Sequence, residues 1–148
     1  MASLLTLTFS QPTRSLAPGE VLIHEGDPGG DLYVLETGRL VVERHGAVIA
    51  TISEPGALVG EMSVLLGKKN SATVRAEKAA AVRVVRDAMA FLERQPLVAL
   101  RVATLLSQRL DATSALLADL KGESGAKPVE AGLFNRLMSA LMSSPASK

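Results

Sequence analysis

Short runs rich in Val, Ile and Leu, broken at close intervals by Gly and Pro, fill the chain from residue 4 to about 86. Such runs predict strands near 4–9, 21–24, 31–36, 39–44, 47–52, 72–76 and 79–85. Turn-forming clusters divide them: Ala17-Pro18-Gly19-Glu20, Gly26-Asp27-Pro28-Gly29-Gly30, Thr37-Gly38-Arg39, His45-Gly46 and Glu54-Pro55-Gly56. Many short strands at this spacing predict a mainly β fold, a sandwich or jelly-roll barrel that hides strand edges by folding two sheets together. One run breaks the rule. Glu61-Met62-Ser63-Val64-Leu65-Leu66 has no alternation, starts after Gly60 and stops at Gly67, which predicts one or two helical turns set inside the barrel.

From residue 87 the pattern turns helical. Asp87 is placed to cap a helix over 88–94, and Pro96 suits the first position of a second helix. That second helix is expected to run over about 96–121, with Gly122 ending it. Along it Ala99, Ala103, Leu106, Leu110, Thr113, Leu117 and Leu120 alternate steps of four and three, the spacing of a coiled-coil seam. Leu100, Leu105 and Leu116 make a second apolar face. The expectation is one face against the barrel and a seam for a second copy, giving a homodimer through residues 97–120. Residues 1–121 thus form the expected domain, and 122–128, rich in Gly, Ser and Lys, a linker. Over 129–142, Leu133, Phe134, Leu137, Met138, Leu141 and Met142 share one helical face. This short amphipathic helix docks either on its own domain or on a protein partner. Residues 143–148 are read as a tail without structure.

Composition narrows the function classes. With 148 residues, 47% hydrophobic and 21% charged, the chain is globular and holds one domain. Sixteen Lys and Arg against 15 Asp and Glu leave a formal charge of +1, which argues against a general electrostatic grip on nucleic acid. Aromatic residues are 3% of the chain and Trp is absent, so stacking platforms for single strands are not expected either. Cys is absent, and His24 and His45 stand alone, which removes thiolate chemistry and clustered metal ligands. No Ser-His-Asp grouping and no triphosphate-binding Gly-rich loop is present, so the chain reads as non-enzymatic and without a cofactor. No stretch has the eighteen or so apolar residues of a membrane span. The start, Met1 to Phe9, lacks the basic region of a signal peptide, and the expected location is the cytoplasm.

The chemistry concentrates on the short helix. The first amides of a helix point free N–H groups outward, and the aligned dipole favours an anion there. Gly60, Glu61, Met62 and Ser63 open this helix, and Asn70, Ser71, Ala72 and Thr73 follow on the next loop. Together they read as a cradle of backbone donors around one phosphate. The Glu61 carboxylate is not a phosphate ligand, but it can accept hydrogen bonds from a sugar hydroxyl beside the phosphate. Phosphate and ribose hydroxyl in one pocket describe a nucleotide.

Residues 59–76, Val-Gly-Glu-Met-Ser-Val-Leu-Leu-Gly-Lys-Lys-Asn-Ser-Ala-Thr-Val-Arg-Ala, resemble the phosphate-binding cassette of the cyclic nucleotide-binding domain family. Upstream, Gly26-Asp27-Pro28, Asp31, Tyr33 and Gly38 resemble the family's Gly-Asp…Tyr…Gly signature, and the likeness covers about residues 15–120. It implies an eight-stranded β-roll flanked by helices. Arg109-Leu110-Asp111-Ala112-Thr113-Ser114 is similar to the dimerisation helix of catabolite-activator-type transcription factors, which implies base-reading roles for Thr113 and Ser114 and favours cyclic AMP over cyclic GMP. Those factors carry a helix-turn-helix domain after the long helix. The 28 residues from Lys121 onward are too few for one, so direct DNA binding is not expected. One position departs from the family: its cassette arginine, which clamps the cyclic phosphate, is Asn70 here, preceded by Lys68 and Lys69. Two functions follow. The first is a cyclic nucleotide sensor that signals through its C-terminal helices. The alternative is a domain that no longer binds ligand and serves as a dimerisation or docking module.

Overall fold

The computed structural model describes residues 2–123, together with 132, 135–137 and 139. The chain divides into two compact units, residues 1–102 and 103–148. The first unit opens with α1 (Leu4–Leu7), where a strand over 4–9 is expected from the alternation. Helical period wins for a local reason. Ser3 caps the turn by accepting from the Thr6 N–H at 3.2 Å, and the Thr8 hydroxyl donates to the Leu4 carbonyl at 2.6 Å. Leu4 and Thr8, four apart, are the buried positions.

Six strands follow among the described residues: β1 (Thr13–Leu16), β2 (Val21–Ile23), β3 (Leu32–Arg44), β4 (Ala47–Ile52), β5 (Leu58–Val59) and β6 (Thr73–Val85). They form one antiparallel sheet in the order β1-β6-β3-β4, with β2 also on β6 and β5 also on β3. β1 and β5 carry no alternation of their own, since β1 buries only Leu16 and β5 is two residues long, so the sequence pattern passes over both. The larger departure concerns the centre. The strands expected at 31–36 and 39–44 are one strand, β3, and those at 72–76 and 79–85 are one strand, β6, each of 13 residues. Thr37-Gly38-Arg39 is a bend within β3 rather than a turn, and the β3–β6 register shifts on both sides of it. Gly38 has φ +91°, and a Cβ there would overlap the Ala79 carbonyl and Ala80 on β6. Bent in this way, the two long strands serve several partners along their length and curl the sheet around its core. Leu16, Leu22, Leu35, Leu40, Val59, Val74, Val82 and Val84 fill that core.

Three helices complete the described chain. α2 (Glu61–Leu66) lies between Gly60 and Gly67, as the pattern predicts. α3 (Ala88–Arg94) begins after Asp87, but the Asp87 side chain makes no capping bond. Asp87 sits in the left-handed region at φ +47°, and its own N–H donates to the Asp31 Oδ1 at 3.2 Å instead. α4 (Pro96–Glu123) starts at Pro96 and continues through Gly122. Val98 and Val102 are buried within the first unit. In the second unit Leu106 and Leu117 are half-buried, and Leu110, Leu116 and Leu120 are exposed. Of the stretch expected as an amphipathic helix, Gly132, Asn135, Arg136, Leu137 and Ser139 are helical. Its other residues, most of the expected linker and the tail lie outside the described residues. No described helix is long and apolar enough to cross a membrane.

Candidate functional site

α2 owes its position to Gly60. The residue precedes the helix at φ +88°, and a Cβ there would sit 2.9 Å from the Asp31 carbonyl oxygen. Only glycine takes that conformation without strain while letting the backbone pass so close. The helix then buries Glu61, Ser63 and Val64 and leaves Met62, Leu65 and Leu66 exposed. The Ser63 hydroxyl donates to the Gly60 carbonyl at 3.0 Å, and the Lys68 N–H closes the far end on the Ser63 carbonyl at 3.2 Å. A buried carboxylate in the first helical turn suits the positive end of the dipole.

The loop after α2 is fastened to the turn that follows β2. Asn70 N–H donates to the Asp27 carbonyl and Gly26 N–H donates to the Asn70 carbonyl, both at 2.9 Å. The Asn70 side-chain amide donates to the His24 carbonyl at 3.2 Å. Gly29 joins this loop to α2. A Cβ at that position would overlap the Ser63 hydroxyl and lie 3.0 Å from Asn70 Oδ1. Thr73, the first residue of β6, accepts from the Glu25 N–H at 3.0 Å. The Glu25 carboxylate in turn holds His45 at the β3–β4 hairpin through its Nδ1 and its backbone N–H, each at 3.0 Å.

A cavity of about 160 Å³ opens where these pieces meet, lined by Ile23, His24, Asp27, Asp31, Tyr33 and Asn70 among others. Burial pushes the Tyr33 hydroxyl pKa above its ordinary 10.0, and the Asp31 carboxylate raises it further against the opposing Arg14 and Arg86. Arg86 is paired with Asp31 at 3.1 Å. The phenol is therefore neutral and able to donate.

The structure thus brings Ser63 and Asn70 against Gly29 and Gly60 against Asp31, with Glu61 buried at the head of α2, and places Ser71 and Ala72 half-buried on the loop into β6. Met62 points its bulk into solvent, at 51% exposure. Thr113 and Ser114 belong to the second unit: Thr113 is exposed, and the Ser114 hydroxyl donates to the Leu110 carbonyl one turn back at 2.8 Å. From its sequence context Gly29 is a turn residue only. Its doubling with Gly30 signals a tight approach, but the partner that requires it, Ser63, is visible only in the fold.

The profile of the cyclic nucleotide-binding domain matches residues 13–95. The cyclic AMP receptor protein of Thermus thermophilus is 35% identical over 113 residues, which are 72% of this chain and 51% of that protein. A CRP-like cAMP-activated global transcriptional regulator of Mycobacterium tuberculosis is 29% identical over 119 residues, 73% of this chain and 53% of the relative. The chain therefore spans about half the length of the curated relatives it matches. Among solved structures, the Thermus thermophilus catabolite activator protein superposes with a TM-score of 0.65 at 29% identity, over 78% of this chain and 57% of that one. The N-terminal domain of a Streptomyces coelicolor transcriptional regulator does so with a TM-score of 0.56 at 30% identity, over 73% and 81%. The matched span begins at β1 and ends after α3, enclosing both α2 and the loop that carries Asn70, and the chain belongs to the cyclic nucleotide-binding domain family.

Proposed function

We propose that this regulatory domain binds a cyclic nucleotide, cyclic AMP in preference to cyclic GMP, and acts as a non-enzymatic sensor in the cytoplasm. The observation that carries the reading is the buried Glu61 at the head of α2, directly after a left-handed Gly60. A carboxylate held there is suited to accept from a ribose hydroxyl, while the amides of residues 60–63 and 71–73 face the cyclic phosphate. In this reading Thr113 and Ser114 on α4 read the base, residues 97–120 pair two copies, and ligand binding moves the C-terminal helices. Residues 129–142 dock either on this domain or on a protein partner. The names of the Thermus and Mycobacterium relatives support cyclic AMP as the ligand class.

One observation favours the second reading, a docking module without ligand. Asn70 stands where the family cassette has arginine, and one of its amide protons is already committed to His24. Isothermal titration of the full chain with cyclic AMP and cyclic GMP separates the two. The sensor reading expects saturable heat with cyclic AMP that Glu61→Gln weakens by tenfold or more, with the thermal midpoint nearly unchanged. Absence of heat with either nucleotide gives the docking module the lead.

A further inference from the structure

A second cavity, of about 400 Å³, lies between the 28–30 turn, the last turn of α2 and the start of α3. Its size falls within the range of about 300–1,000 Å³ common for small-molecule sites, which the Asn70 cavity does not reach. Pro28, Val64 and Met89 give it apolar walls, and Gly29, Gly30 and Gly67 contribute no side chains to fill it. Met89 is 40% exposed, a large apolar side chain turned partly to water beside this hollow.

The rim is basic. Lys68 and Lys69 are exposed on it, and neither enters an ion pair among the described residues. Arg14, Arg39, Arg75, Arg83 and Arg86, by contrast, each have a carboxylate within reach. Among the described lining residues Asp87 is the one acid, so together they carry a net single positive charge. Ser63 also lines the space, and its hydroxyl proton is committed to the Gly60 carbonyl. Glu61 lines neither cavity.

The geometry points to a second binding site, which borders the cradle at Ser63 but does not include Glu61, for a small amphipathic anion: a compact apolar body bearing one carboxylate or sulfonate. Apolar walls gain from covering a hydrocarbon or aromatic body, and the two ammonium groups gain from one anionic head. Inorganic phosphate leaves the walls in water, and a neutral apolar molecule leaves the lysines without a counter-charge. The site does not depend on whether the cradle holds a nucleotide.

The test is a fluorescence titration of the full chain with 1-anilinonaphthalene-8-sulfonate, an aromatic anion whose emission rises on burial. The expected result is a saturable single-site curve whose affinity falls by tenfold or more in a Lys68→Gln/Lys69→Gln double variant. Met89→Glu, which places a negative charge on the wall from an exposed position, is expected to weaken it equally. Both variants alter exposed side chains, and circular dichroism checks that each remains folded. Octanoate is expected to displace the dye, and the same concentration of inorganic phosphate to leave it bound. Unchanged affinity in both variants overturns the site. So does displacement by phosphate but not octanoate, or competitive displacement by cyclic AMP.

Discussion

The Asn70 side chain donates to the His24 carbonyl oxygen at 3.2 Å, so the residue standing where the family cassette carries arginine is tied to the end of β2. Its main chain is held from both directions by Gly26 and Asp27. Asn70 is thereby a positioning residue for the loop, whatever else it contacts. A neutral amide with one proton spent is a weak partner for a cyclic phosphate, since hydrogen bonds to charged groups contribute most when the donor is itself charged.

Asn70→Arg is expected to raise affinity for cyclic AMP by about tenfold or more, equivalent to about 1.4 kcal/mol or more. The guanidinium supplies a bidentate, charge-assisted clamp for the phosphate that a neutral amide lacks. The gain is expected to grow as salt is lowered, because an added electrostatic attraction is screened by ions. Calorimetric titration at two ionic strengths measures it. If the variant binds no better, the missing charge is not what limits the pocket.

Gly60→Ala is expected to destabilise the fold more than Gly19→Ala. Both glycines have positive φ, +88° and +83°, so both substitutions carry the left-handed cost of roughly 1–2 kcal/mol. A Cβ at Gly19 meets nothing within 4 Å, whereas at Gly60 it lies 2.9 Å from a backbone oxygen. The backbone must shift, and α2 with it. Urea unfolding of the two variants isolates the steric part, expected at about 1 kcal/mol or more. Equal losses remove the close approach as the reason for glycine.

The limits of α2 are legible in the sequence because Gly60 and Gly67 both take positive φ, a backbone demand that leaves a mark in residue type. Asn70 is legible as a departure, yet its role is not: its partner His24 lies 46 residues away and contributes only a carbonyl, which no side-chain pattern records. The same holds for Thr37-Gly38-Arg39. Locally it has the chemistry of a turn, and what makes it a bend in one strand is the arrival of Ala79 and Ala80 from β6. The strand expected at 4–9 fails for the opposite reason, since two periods fit the letters and the Ser3 cap decides between them. Core strands are readable where burial repeats along the chain, and bends and loop contacts are not, because they are set across it.

Leu106 and Leu110 lie in the middle of the proposed dimer seam, half-buried and exposed respectively on α4. Leu110→Glu places a charge where two copies meet and costs the lone chain little, because the side chain already faces water. Light scattering is expected to report a dimer for the wild type and half that mass for Leu110→Glu, with Leu106→Glu doing the same. A mass unchanged by both substitutions takes the seam out of the dimer.

Acid sensitivity is expected to pass through Glu36. This carboxylate joins three strands: it accepts from the Arg83 Nε at 2.6 Å and from the Thr13 hydroxyl at 2.9 Å. Arg83 also donates to the Thr8 carbonyl at 2.9 Å, which ties α1 to the same point. Burial raises the Glu36 pKa, but the bonds from Thr13 and Arg83 and the Arg83 charge outweigh it, so the pKa lies below its ordinary 4.5. In the unfolded chain the carboxylate takes up a proton at higher pH than in the native state. The stabilisation is therefore complete above the ordinary glutamate pKa and is lost as pH falls through the lowered native value. Glu36→Gln cannot ionise and should unfold more readily at neutral pH, by about 0.5–1 kcal/mol given the partly exposed pair. The difference between the two proteins should shrink as pH falls below 4.5. Thermal midpoints from pH 7 to pH 3 follow it. Parallel curves across that range exclude Glu36 as the titrating contact.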